Sequence, residues 1–163
     1  MNQLQEVFLE ELADIYNAEE QLIKALPKMA KAAQEQRLTD AYSQHLSETE
    51  NHVERLEQLF ELFGKTPRGK KCKAMAALIG EGEDLISDHE DTSGLDAVLI
   101  CAAQKVEHYE IAAYGCLRTW AKIMDKEEAV SLLQQTLDEE EAADEKLNQI
   151  AERSNRVAAE ATV

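Results

Sequence analysis

The sequence predicts an all-α fold, an antiparallel four-helix bundle whose two hairpins are joined by a long crossover carrying an additional short helix. Three observations lead to it. Ala, Leu, Glu, Gln and Lys, all strong helix formers, dominate the chain. Only two prolines and six glycines interrupt its 163 residues. Apolar residues recur at helical spacing along four long stretches and one short one. With 44% apolar residues the chain can fill one sizeable core, so residues 1–155 are expected to form a single domain and residues 156–163 a frayed tail.

The first helix is expected from about Asn2 to Glu35, with Val7, Phe8, Leu12, Ile15, Leu22, Leu26 and Met29 as its apolar stripe. Pro27 lies inside it and should kink it rather than end it, because the stripe continues to Met29. "EQRLTDAY" reads as a turn with Thr39 as candidate N-cap, and the second helix then runs to about Phe63. Gly64 is the expected C-cap glycine, with Pro67 beyond it. The basic residues from Lys65 to Lys73 read as a solvated loop. "KCKAMAALIGEGEDLISDHED" forms the shorter helix, burying Met75, Leu78, Ile79, Leu85 and Ile86. After the turn "DTSGLD", long helices are expected from about Leu95 to Ile123 and from about Glu127 to Arg153. The segment between the hairpins is too long for a tight turn. It can carry the chain along the bundle, as the single long crossover of a ferritin-like bundle does. The same lengths also admit a plain up-down array of five helices.

A net charge of −16 argues against direct nucleic-acid binding, because an acidic surface repels a phosphate backbone. No apolar run approaches a bilayer-spanning length, and the acidic start "MNQLQEVFLEEL" lacks the basic region of a signal peptide. The three cysteines match no paired spacing, which fits a reducing cytoplasm. Cys101 and Cys116 are expected to be buried. Cys72, beside lysines, is expected to be the more reactive thiol.

Each long helix carries polar residues inside its apolar stripe. Glu19 falls between Ile15 and Leu22 on the first. His45, Glu48 and His52 interrupt the second, at spacings of three and four. Glu107 and Glu110 interrupt the third, and Glu140 and Asp144 the fourth. One glutamate at a stripe's edge usually reaches water. Four helices doing so at matching depth imply convergence, and converging carboxylates repel unless a cation sits between them. Carboxylates with a few imidazoles suit iron or manganese, and two adjacent ions would share bridging glutamates. A crude repeat supports this: Glu19 then Glu48 and His52, and Glu107 then Glu140 and Asp144. Glu19, Glu48, His52, Glu107, Glu110, Glu140 and Asp144 are the candidate ligands. His45 is either a ligand or a hydrogen-bond partner that orients one. Tyr16, Tyr109 and Tyr114 read as packing residues.

The segments "IYNAEEQLIKALPKMAKAA", "HLSETENHVERLEQLFELFG", "AAQKVEHYEIAAYG" and "TLDEEEAADEKL" occur in an order that resembles the YciE/YciF family of stress-associated proteins, over roughly Val7 to Ile150. The resemblance implies a ferritin-like bundle, a homodimer and a di-iron centre on the residues just named. The chain departs from the usual Glu-x-x-His signature of ferritin-like sites: it has Glu48-x-x-x-His52 on the second helix and Asp144 in place of a histidine on the fourth. The expected function is a stress-associated di-metal carboxylate protein reacting with oxygen or peroxide. The alternative is a helical interaction or scaffold protein without catalysis, its inward carboxylates paired with His45, His52 or Lys105.

Overall fold

The structure, a computed structural model, describes residues 2–161. It contains five helices: α1 Gln3–Ala32, α2 Gln36–Leu62, α3 Lys73–His89, α4 Leu95–Ile123 and α5 Glu127–Glu160. Helices α1 and α2 form one antiparallel hairpin and α4 and α5 the other. The ring is closed by α1 against α4 and by α2 against α5, while α3 covers the seam of α1 and α4. The crossover climbs beside α1. Lys70 N–H donates to the Ala13 carbonyl (2.9 Å), Cys72 N–H to Asn17 Oδ1 (2.8 Å), and Lys28 pairs with Glu83 (2.9 Å). Contacts that advance together along both segments require α3 to run parallel to α1. That returns the chain to the end where α4 must begin, so the ferritin-like arrangement forms rather than a plain up-down array.

Local chemistry sets most boundaries. Asn2 caps α1 by accepting from Gln5 N–H at 2.9 Å. The helix then passes through Pro27 without a break. Gly64 has φ 64°, and its N–H donates to Glu61 O (2.8 Å) while Lys65 N–H donates to Phe60 O (2.9 Å). This is the paired Schellman closure of α2. Asp125, at φ 55°, turns the chain between α4 and α5.

Three expectations are corrected here. Thr39 does not cap α2, which starts at Gln36. Asp96 of α4 instead accepts from the backbone N–H groups of Gln34 and Glu35, both at 2.8 Å, so a carboxylate distant in sequence holds the turn. Residues 156–160 continue α5, anchored by buried Ser154 donating to Glu35 at 3.0 Å and extended by good helix formers. The cysteines are reversed: Cys72 is buried, while Cys101 and Cys116 are exposed. The Cys72 sulfur accepts from Met75 N–H at the start of α3 and lies 3.1 Å from the Tyr109 hydroxyl. Burial raises its pKa despite the neighbouring lysines.

The core runs the length of the bundle, through Phe8, Leu12, Ile15, Leu22, Leu56, Leu99, Leu117 and Ile150. Val7 faces outward, since the stripe passes through its neighbour Phe8. Lys65, Arg68, Lys70, Lys71 and Lys73 are all exposed. Among the described residues no helix is long and apolar enough to cross a membrane.

Removing the Asp96 carboxylate takes the acceptor from two backbone donors at a partly exposed turn. Asp96→Ala should lower unfolding free energy by about 2–3 kcal/mol, read from urea denaturation, with the helical content of the folded state unchanged.

Candidate metal centre

Near mid-length the apolar core gives way to six buried titratable side chains: Glu19 on α1, His45 and His52 on α2, Glu107 and Glu110 on α4, and Glu140 on α5. The helical repeat explains who takes part. Seven residues is almost two full turns, so His45 and His52 share one face, while Glu48 is rotated about 60° away from His45. Helix α4 is covered by α1, α3 and α5, which buries both Glu107 and Glu110.

The six side chains form two adjoining groups. His45, Glu107, Glu110 and Glu140 have donor atoms within 4.8 Å of one another, and so do Glu19, His52 and Glu140. Glu140 belongs to both. Its Oε1 lies 3.1 Å from His52 Nδ1, and its Oε2 lies 3.7 Å from His45 Nε2. One carboxylate with an oxygen turned to each group is the arrangement of a bridging ligand. His52 Nδ1 is also 3.3 Å from Glu19, and His45 Nε2 is 3.2 Å from Glu107.

Both imidazoles are oriented from outside. His52 Nε2 is 2.9 Å from Glu139, which a two-pronged contact with Arg55 (2.7 and 2.8 Å) holds in place. His45 Nδ1 is 3.4 Å from Glu48. A proton on each outward nitrogen leaves a lone pair on His52 Nδ1 and His45 Nε2, aimed into the centre. Tyr114 donates to Glu19 and fixes that carboxylate.

The inward atoms lack hydrogen-bond partners. Glu19 Oε2, Glu107 Oε2, both oxygens of Glu110, both of Glu140, His45 Nε2 and His52 Nδ1 are buried and unsatisfied. Buried polar atoms are normally paired, and eight unpaired at one place mark a site built for something else. Four carboxylates and two neutral imidazoles match two divalent cations in charge and in donor type.

Burial and mutual repulsion strain the metal-free cluster. Burial, and then the negative charges of Glu140, Glu19 and Glu107, push Glu110 well above the usual carboxylate range. Burial does the same to Glu107, against the pull of His45. Burial also raises Glu140, although His52 opposes it. Burial resists ionisation of Glu19 too, but the neighbouring His52 imidazole and the Tyr114 hydroxyl hold its pKa below the ordinary value. Burial alone would lower His52, yet Glu140 and Glu19 push it up to about 11. Protons thus stand where cations would.

Of the residues expected in the site, the structure brings together Glu19, His45, His52, Glu107, Glu110 and Glu140. It does not bring in Glu48 or Asp144. Glu48 turns to Gln44 (2.7 Å) and to the outer side of His45. Asp144 lies on the surface seam of α4 and α5, 3.3 Å from exposed His108 and bonded to Gln104 and Asn148. Glu139 carries no local signal: in the acidic run "DEEE" nothing separates the residue that reaches His52 from its neighbours. Tyr114 does more than the packing expected of it, and its place four residues after Glu110 on the same face is the signal for that.

A carboxyl raised by folding carries no penalty below its ordinary value of 4.5 and destabilises as pH rises above it. The contribution of His52, raised from 6.5, is complete below 6.5 and vanishes as pH rises through about 11. Metal-free protein should therefore lose stability between pH 5 and 8 in urea titrations. Glu110→Gln should flatten that loss and stabilise the metal-free chain by about 1–3 kcal/mol at pH 8.

Comparison with known proteins agrees with this architecture. Residues 3–161 match the family described as Domain of unknown function (DUF892). Protein YciF of Escherichia coli (strain K12) is 43% identical over 152 residues, spanning 93% of this chain and 92% of that protein. A crystal structure of the E. coli stress protein YciF superposes with a TM-score of 0.91 at 42% identity, covering 96% of this chain and 99% of that one. YcfI of Rhodopseudomonas palustris superposes with a TM-score of 0.87 at 41% identity, covering 90% and 94%. The chain belongs to the DUF892 family of YciF-like proteins.

Proposed function

We propose that the chain is a di-metal carboxylate protein of the stress response, holding two iron ions, or two manganese ions, and reacting with peroxide or oxygen. The observation that carries this reading is the set of buried, inward-facing donor atoms without partners, split into two groups that share Glu140. His45, Glu107 and Glu110 would hold one ion, Glu19 and His52 the other, with Glu140 between them. A ferrous pair supplies two electrons at one place, and reduction of hydrogen peroxide consumes two electrons and two protons to give two waters. The chain's part is to match the charge of the ions, exclude water, orient the imidazoles through Glu139 and Glu48, and anchor Glu19 through Tyr114. Association with stress is extended from the YciF relative. Three free thiols suit a reducing cytoplasm.

The scaffold reading needs the inward carboxylates to be neutralised from within. Of its proposed partners, His45 and His52 lie against those carboxylates, while Lys105 pairs with Glu81 of α3 on the outside. Exposed Val7, Leu62 and Ile123 sit at one end of the bundle, and we assign that end to a homodimer contact. Sedimentation equilibrium should give twice the chain mass, and a charged residue at Ile123 should shift it to one.

Full-length protein purified without an affinity tag, loaded anaerobically with ferrous iron and washed, should retain about two irons per chain by elemental analysis. It should then consume added hydrogen peroxide. Glu140→Gln should hold no more than about half the metal, with its helical content unchanged. Wild-type protein retaining no stoichiometric metal would remove the di-metal reading and direct the search to protein partners. Because bound ions displace the protons of Glu107, Glu110 and His52, loading should release protons and weaken steeply from pH 8 to 6.

A further inference from the structure

The unpaired inward atoms of the centre divide unevenly between its two groups. Five belong to the group around His45: His45 Nε2, Glu107 Oε2, both oxygens of Glu110, and Glu140 Oε2. Three belong to the group around His52: Glu19 Oε2, His52 Nδ1 and Glu140 Oε1. Charge is uneven in the same sense. The first group has two carboxylates of its own, Glu107 and Glu110, and the second has one, Glu19. Glu19 also differs from Glu110 in what holds it. Glu110 has no hydrogen-bond partner on either oxygen, whereas Glu19 Oε1 accepts from the Tyr114 hydroxyl and leaves only Oε2 unpaired. Tyr114 is fully buried, with its ring centroid 6.2 Å from that of His52, so its hydroxyl has no water to turn to.

Resting on the di-metal reading, we infer that the two positions are inequivalent. The ion held by Glu19, His52 and Glu140 is the weaker-bound one and takes a small exogenous anion. Tyr114 is the positioning residue that keeps it so, by holding Glu19 to a single oxygen. Iron and manganese in oxygen-rich sites take about five or six donors. Five protein atoms nearly complete that shell around the first ion, and three leave about half of it open around the second. An ion with an open position takes ligands from outside, and an ion enclosed by protein donors does not. Affinity rises with the number of charged donors, so the first ion binds more tightly. The second ion has one unshared carboxylate against its two charges, and the remaining positive charge favours an anion. Without the Tyr114 hydroxyl both Glu19 oxygens are available, and the second ion gains a fourth donor.

Cobalt(II) is the probe, because it accepts the same donors and its visible bands respond to a change of ligand. Titrated anaerobically into metal-free full-length protein, it should bind in two steps whose dissociation constants differ at least about tenfold. Azide should change the spectrum of the two-cobalt protein and leave that of the one-cobalt protein as it was. Glu19→Gln should keep the tight step and lose the weak one together with the azide response. Glu110→Gln should weaken the tight step. Tyr114→Phe, with helical content unchanged, should tighten the weak step about 3–10-fold and weaken azide binding. A Tyr114 that only packs would leave the weak step unmoved or loosen it. That result, two equal steps, or an azide response already present with one cobalt would overturn this inference alone, since two metals would still bind. Protein that takes up no stoichiometric cobalt would overturn the di-metal reading and this inference with it.

Discussion

Four buried carboxylates meet inside the bundle with oxygens that nothing in the described chain satisfies, and the rest of the structure is arranged around that constraint. Like charges a few ångströms apart in a medium of low polarity cannot all ionise. Either protons or cations must neutralise them. The raised carboxyls of Glu107 and Glu110 and the raised imidazole of His52 are the proton solution. Two divalent ions are the alternative that uses every inward donor atom. The cluster therefore costs stability in the metal-free chain. The long apolar stripes above and below it, from Phe8 to Leu26 and from Leu99 to Leu117, supply the packing that offsets the cost.

The fold serves this centre in two ways. The crossover helix covers α4 on the side away from the bundle axis, which makes α4 the most enclosed helix and lets it carry two inward glutamates three residues apart. Partly exposed carboxylates stand behind both imidazoles: Glu139, held by Arg55, behind His52, and Glu48, held by Gln44, behind His45. Ring orientation is thus set from the surface inward. The same Gln44 also accepts from Lys146 of α5, so the support of His45 is tied to the other hairpin.

The helices were legible because apolar residues at a period near 3.6 persist over many turns and few glycines or prolines interrupt them. Gly64 was legible because only a left-handed position explains a glycine there. Thr39 misled because a distant carboxylate, Asp96, does the work that a local cap usually does. Within the site, the convergence of four helices could be read from the depth of their polar residues. The membership could not be read in full. Glu48 and Asp144 each stand four residues from a true inward residue, which shares a face only loosely. Side-chain length and the neighbouring helix decide which way such a residue turns. Glu139 and Tyr114 act through partners 87 and 95 residues away, a pairing that no local spacing shows.

As proposed, Glu140 would be shared by two metal ions. Anomalous diffraction at the iron edge, from crystals of the full chain grown anaerobically with ferrous iron, tests it most directly. Two strong peaks per chain are expected, one among His45, Glu107 and Glu110 and one between Glu19 and His52, with the Glu140 carboxylate reaching both. No peak in the bundle core, or iron bound only at Glu48 or Asp144 on the flanks, would contradict it.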